Sequence, residues 1–187
     1  DRNGSLSLGE GEGRVRVAHV FTHNPGYQAD GEGISVNVVE RFAEAFNRGD
    51  VDGLLGCFTE DATYRDLFYG PHAGHAALRG MFERMFREGR DYRWQMNSVV
   101  MDAHRAAAEW TFSYTATAAV PRSEGRHVRF SGMSVFDLDG GDLDGGDLDG
   151  GRIRAYREYA DTGVALLQLG FAPESLAKVL TRRLPTA

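Results

Sequence analysis

A chain of 187 residues, 42% hydrophobic and 26% charged, is long enough for one domain with a sizeable core and has the balance of an ordinary globular protein. Its net charge of −6 is concentrated in residues 137–151, three tandem Asp-Leu-Asp-Gly-Gly units with six aspartates; the rest is near neutral, which gives no footing for nucleic acid. One cysteine, Cys57, excludes an internal disulfide, and no stretch reads as a membrane span or a signal peptide, so a cytoplasmic location is expected.

Residues 1–33 read as an extension, glycine-rich and polar around one alternating run, Arg14 to Phe21, that fits an edge strand. The domain proper runs over 34–187. Ser35 is placed to cap a helix reaching about Asn47, with Val38, Val39, Phe42, Ala45 and Phe46 on one side and Gly49 as its stop. Asp50 caps a second, short helix through Leu54, Leu55 and Phe58. A strand then runs into Asp66, a loop covers Leu67 to Gly74, and a third helix spans His75–Glu88. After Gly89 the period changes to two. Strands are expected over Tyr92 to Asp102, Ala106–Ala118, His127 to Leu138 and Arg152 to about Tyr159. The Asp/Gly repeat at 137–151 lies between the last two strands and reads as an expanded, solvated turn; its period of five does not match a calcium-binding repeat. A final amphipathic helix occupies 173–187. Helices in front of a long antiparallel meander define an α+β layout, a curved sheet wrapped on helices.

Asp66 stands out because its strand delivers a carboxylate into Leu67, Phe68 and Tyr69. If the neighbourhood is buried, the group has a raised pKa and suits proton transfer; otherwise it is a turn residue at a strand end.

The opening run VVERFAEAFNRGDVDGLLGCFTEDATYRD resembles the start of the ketosteroid-isomerase-like and SnoaL-like superfamily. The closing run GRIRAYREYADTGVALLQLGF resembles the end of SnoaL-like polyketide cyclases and limonene epoxide hydrolases. The resemblance covers about residues 34–171 and implies a cone-shaped α+β barrel around a deep apolar pocket and a frequent homodimer; acid/base chemistry by two pocket carboxyls requires no metal or organic cofactor. It places Asp66 where ketosteroid isomerases keep their proton-shuttling aspartate. The matching oxyanion-hole positions are Phe42 and Gly132–Met133, whose side chains donate nothing, which argues against a true ketosteroid isomerase. Asp161 matches the last-strand aspartate that these cyclases and hydrolases use for acid/base work, and it also precedes Thr162-Gly163-Val164 as a helix cap would. The Arg-Xaa-Asp pair of the epoxide hydrolases is absent, Glu109-Trp110-Thr111-Phe112 standing in its place.

The expectation is therefore an acid/base enzyme acting on a small hydrophobic or polyketide-like molecule, with Asp66 and Asp161 as the proton-transfer pair. Cyclisation or isomerisation comes first and epoxide opening second. The alternative class is a binding or dimerisation module. Support is open to Glu109, which faces either the pocket or the outside, to His127 as a structural group or a donor, and to Arg157, which shares a strand face with Tyr159 and Asp161 by parity. The pocket wall is expected from Phe42, Tyr64, Tyr69, Trp94, Trp110, Met133 and Tyr159. His72 and His75 have no third ligand in sight, and no metal site is expected.

Overall fold

The computed structural model describes residues 19–22, 37–140 and 151–181. Its first helix, α1 (Val38–Arg48), is capped by Asn37, whose Oδ1 accepts the N–H groups of Val39 and Glu40 at 3.0 and 3.1 Å. Ser35, expected as the cap, lies outside the described residues. Gly49 closes the helix in the left-handed conformation (φ 66°), where a side chain would be strained. Asp50 caps α2 (Val51–Gly56) through the Gly53 N–H at 2.8 Å. Strand β2 (Phe58–Asp66) then turns back into β3 (Gly70–Ala73) and α3 (Gly74–Glu88). The segment expected as a plain loop thus contains a four-residue strand. Its Pro71 is tolerated because β3 is the sheet edge, where a missing N–H costs no ladder bond.

The long strands follow as β4 (Gly89–Met101), β5 (Arg105–Ala116), β6 (His127–Leu138) and β7 (Ile153–Ala160). A strand at His19–Thr22, β1, covers the end of the alternating run foreseen near the N-terminus and pairs with β4. The chain ends in α4 (Thr162–Gln168) and α5 (Pro173–Thr181). The sheet order is β1-β4-β5-β6-β7-β2-β3. All neighbours run antiparallel except β2 and β7, which are parallel. The architecture is α+β, but the sheet stays open between its β1 and β3 edges rather than closing into a barrel. No helix among the described residues is long and apolar enough to cross a membrane.

One face of the sheet packs on α1 and α3. Phe42 and Phe46 of α1 meet Trp94 edge-on, each at 5.0 Å between ring centroids, and Phe82 of α3 meets Tyr64 at 5.5 Å. Trp110 reaches this core only because Gly132 stands opposite it across the β5–β6 pair. A methyl group at 132 would lie 2.5 Å from the indole and 2.6 Å from the Tyr159 carbonyl. Gly132→Ala is therefore expected to cost about 1–3 kcal/mol through overpacking. A lower urea midpoint together with altered indole fluorescence checks this.

The Asp/Gly repeat is not loop from its first residue. Asp137 and Leu138 belong to β6; Asp137 pairs with Arg157 at 2.6 Å and with Arg105 at 3.0 Å, and Leu138 is buried. Asp139 accepts the Arg152 N–H at 2.7 Å. Residues 141–150, with the expected turn and the question of calcium, lie outside the described residues.

Candidate active site

Against the aromatic core lies a cavity of about 210 Å³, lined by residues of α1, α3 and the sheet together with Val120 and Leu169. Asp66 sits on its wall at the end of β2, only 8% exposed. The strand alternates Ala62, Tyr64 and Asp66 inward, so the same pleat that buries the tyrosine buries the carboxylate. Its Oδ1 accepts the N–H groups of Phe68 at 2.6 Å and Tyr69 at 2.7 Å. Asp66 is thus both things its sequence offered, a turn-forming residue and a buried acid.

The partner is Glu158 on β7, a residue the sequence reading did not select. Parallel pairing of β2 with β7 brings it beside Asp66, and the two side chains hydrogen-bond. Glu158 Oε1 accepts the Leu67 N–H at 2.9 Å, and Oε2 accepts the Tyr156 hydroxyl at 2.9 Å. Behind that hydroxyl runs a buried chain. The Trp110 indole N–H donates to Ser134 Oγ at 2.7 Å, and Ser134 and Tyr156 are 2.7 Å apart. An indole nitrogen only donates. Tyr156 donates its one proton to Glu158, so Ser134, which accepts from the indole, donates its own proton to Tyr156.

Burial pushes both carboxyls up. Glu158 rises to about 8, first through desolvation and then through the Asp66 charge; Asp66 is raised by desolvation against the pull of its two amides. Two acids in contact in a largely buried, aromatic site hold one proton between them near neutrality. The amides favour the charge on Asp66, which leaves the proton on Glu158. The arrangement is a base touching an acid.

A second polar group lies at the rim. Tyr69 donates to Glu88 Oε2 at 2.6 Å, Arg84 Nε donates to Glu88 Oε1 at 2.8 Å, and the Arg84 guanidinium carbon is 4.9 Å from the Tyr69 ring centroid.

Of the expected wall, Tyr64, Tyr69, Trp94 and Trp110 line the cavity. Phe42 does not: it is fully buried in the core against Phe58, Trp94 and Phe136. Met133 and Tyr159 pair across β6 and β7 on the opposite, outer face, 51% and 60% exposed. Glu109 is on that outer side as well, since its neighbour Trp110 faces the helices. Arg157 is bound to Asp137 there, and His127 is exposed at the start of β6.

Asp161 is not brought to Asp66. It is exposed and caps α4, its Oδ1 accepting the Gly163 and Val164 N–H groups at 2.9 and 3.3 Å. The reason is a bulge. Ile153 pairs with Leu138 and Ala155 with Asp137, so Arg154 has no opposite number and the strand changes face there. Parity counted from buried Ile153 puts Arg157, Tyr159 and Asp161 inside; the bulge puts Tyr156 and Glu158 inside instead. Asp161→Ala is expected to cost about 1 kcal/mol as a lost cap and to leave any activity of the cavity unchanged. Paired melting and activity measurements check it.

With the geometry in place, the comparisons with known proteins agree on the fold. A family model described as SnoaL-like domain matches residues 39–144. A solved candidate polyketide cyclase from Xanthomonas campestris pv. campestris is 25% identical, with a TM-score of 0.55 over 71% of this chain and 94% of its own. An LEH-like epoxide hydrolase from M. tuberculosis is 19% identical, with a TM-score of 0.55 over 79% and 96%. A protein with a ketosteroid-isomerase-like fold from Catenulispora acidiphila is 15% identical, with a TM-score of 0.58 over 73% and 95%.

Proposed function

The chain belongs to the SnoaL-like domain family, and from that premise we propose that it is an acid/base enzyme of the cyclase or isomerase kind, with Asp66 and Glu158 as its proton-transfer pair. The observation that carries this is the contact of two largely buried carboxyls, Asp66 and Glu158, on the wall of an aromatic cavity.

The chemistry follows from the protonation states. Asp66 takes a proton from a carbon next to a carbonyl. The electron pair of that C–H bond becomes the C=C of an enol, and the carbonyl oxygen takes the Glu158 proton. In an unsaturated ketone, return of the Asp66 proton to a different carbon, with the enol O–H proton going back to Glu158, completes an isomerisation. Attack of the enol carbon on a second carbonyl of the same molecule closes a ring: the enol O–H proton goes back to Glu158 as the first C=O re-forms, and the oxygen of the attacked carbonyl takes the proton held by Asp66. The net charge of the site is the same before and after each transfer, so no new charge is created in the apolar cavity. One proton passes to Asp66 as another leaves Glu158, and this reading calls on no cofactor.

The cavity, about seven waters' worth of volume, suits a substrate of one or two small rings. The test is deuterium wash-in. Small cyclic ketones, β-keto esters and amino ketones are incubated in D₂O with the protein, and loss of the α-proton signal is followed by NMR. Exchange above the buffer rate is expected. Exchange equal to buffer across the panel leaves a ligand-binding cavity instead of an enzyme.

We propose in addition that a second copy covers the outer face, where Met133 and Tyr159 stand side by side and exposed. Met133→Asp is then expected to give a monomer by sedimentation where the parent gives a dimer.

A further inference from the structure

We infer that the cavity recognises a positively charged group on its substrate, a protonated or alkylated nitrogen seated against the ring faces beside Asp66 and Glu158. This deepens the acid/base reading and rests on it, by naming the charge class of the substrate.

The first argument is charge. Among the described residues, four ionisable groups of the Asp, Glu, Lys and Arg types line the cavity: Asp66, Glu88, Glu158 and Arg84. Three are acids. The one base, Arg84, is committed to Glu88 through its Nε at 2.8 Å. The Asp66–Glu158 pair is therefore left with its negative charge and no Lys or Arg facing it from the cavity. Burying a charge without a counter-charge is costly, and a neutral ligand that displaces water makes it costlier. A cation relieves it.

The second argument is the wall. Tyr69, Tyr92, Trp94, Trp110, Phe112 and Phe130 all line this space. Ring faces carry partial negative charge and attract a cation within roughly 6 Å of the centroid. The wall already does this once: the Arg84 guanidinium lies 4.9 Å over Tyr69. An anionic substrate has no such support, because the guanidinium is already paired.

The groups facing the pair are few. Tyr64 and Tyr156 face it from β2 and β7, and Tyr69 from the turn after Asp66. Tyr92 and Tyr114 interact with Asp66 from β4 and β5, and Glu88 of α3 lines the same cavity and acts on both tyrosines. Burial raises all five tyrosines, Tyr114 to about 12, so none of them titrates between pH 6 and 9. His72 on β3 acts on Asp66 through its charge, and His72→Gln separates its contribution. A bound cation steadies the charge on Asp66 and lowers Glu158 from about 8, so binding tightens as pH rises into that range with partial proton release, while at lower pH Glu158 keeps the proton that the chemistry needs.

The experiment is calorimetric titration of the full chain with choline and with 3,3-dimethylbutan-1-ol, which has the same shape with carbon in place of the charged nitrogen. Choline is expected to bind at least about tenfold tighter, with the ratio growing from pH 6 to pH 9 in the parent and in His72→Gln. Two buffers of different ionisation enthalpy are expected to show proton release. Equal affinity for the two compounds, a preference for the alcohol, or no heat with either overturns the inference. Asp66→Asn is expected to abolish the discrimination; the comparison in the parent protein decides the matter even if that variant does not fold. Deuterium exchange into neutral ketones without a choline preference overturns the charge class and leaves the acid/base reading standing. A choline preference without exchange into any amino ketone or neutral ketone overturns the acid/base reading instead.

Discussion

Asp66→Asn is expected to lower proton exchange by roughly 10²–10⁴ at pH 7, the usual worth of a positioned general base. The amide of asparagine is close in size to the carboxyl and its oxygen still accepts the Phe68 and Tyr69 N–H groups. The loss should therefore appear with little change in melting temperature. Glu158→Gln should cut the rate through a different limb. In the parent, exchange should fall above about pH 8, as Glu158 loses the proton it has to give, and fall at low pH as Asp66 becomes protonated. The two limbs belong to the pair as a unit. Glu158→Gln should lose the high-pH limb and keep the low-pH one. A parent profile without a limb near pH 8 would remove Glu158 from the mechanism.

The second large effect is on stability. An unfolded glutamic acid titrates near about 4.3, while folded Glu158 titrates near 8. Between those values the folded chain holds a proton that the unfolded chain has released. Stability then falls as pH rises, by up to about 1.4 kcal/mol for each unit. Burial raises Asp66 as well, which adds to the same slope. The contribution is complete below the unfolded value, declines through pH 5 to 8, and levels off once Glu158 is ionised in both states. Asp137, lowered by Arg157 and Arg105, works in the opposite sense and loses its contribution only as pH falls below the ordinary carboxylate range. Urea midpoints at pH 5, 6.5 and 8 should therefore decline in order. Glu158→Gln should flatten the series and exceed the parent at pH 8. A flat parent series would mean that no buried, proton-bearing acid exists.

The sequence carried the architecture because the architecture depends on local signals. Gly49 and Asp50 mark a helix end and a helix start by backbone chemistry alone, and the period changes from helical to alternating at Gly89. Asp66 was legible for the same kind of reason: a carboxylate at the inward position of a strand, followed by three apolar residues. Glu158 was not, because its side of the sheet is set by a bulge at Arg154, and nothing in Arg-Ile-Arg-Ala-Tyr-Arg-Glu-Tyr marks which residue will be left unpaired. Asp161 is placed by its resemblance to the family's last-strand aspartate and Tyr159 is expected in the pocket wall, while Arg157, which shares their face, is open between orienting an acid and pairing at the surface; the bulge turns that face outward. Met133 and Glu109 depend on the opposite faces of β6 and β5, and Phe42 on how deeply α1 sinks into the core. These are facts of tertiary packing. Glu158 did leave one trace: a tyrosine and a glutamate two apart on one strand face, beside a strand ending in aspartate.

The parallel pairing of β2 with β7 has a consequence in time. Strands β4 to β7 form a meander of near neighbours and can zip together locally, whereas Leu67 and Glu158 are 91 positions apart. Closing so long a loop is entropically slow, and contacts of this range are the ones that hold back folding. Until β7 docks beside β2, both carboxyls are in water and titrate as ordinary acids. The protein therefore acquires its unusual proton at the moment its two distant strands meet, and a pH-indicator dye in a refolding experiment should register that docking as a discrete uptake of protons from solution.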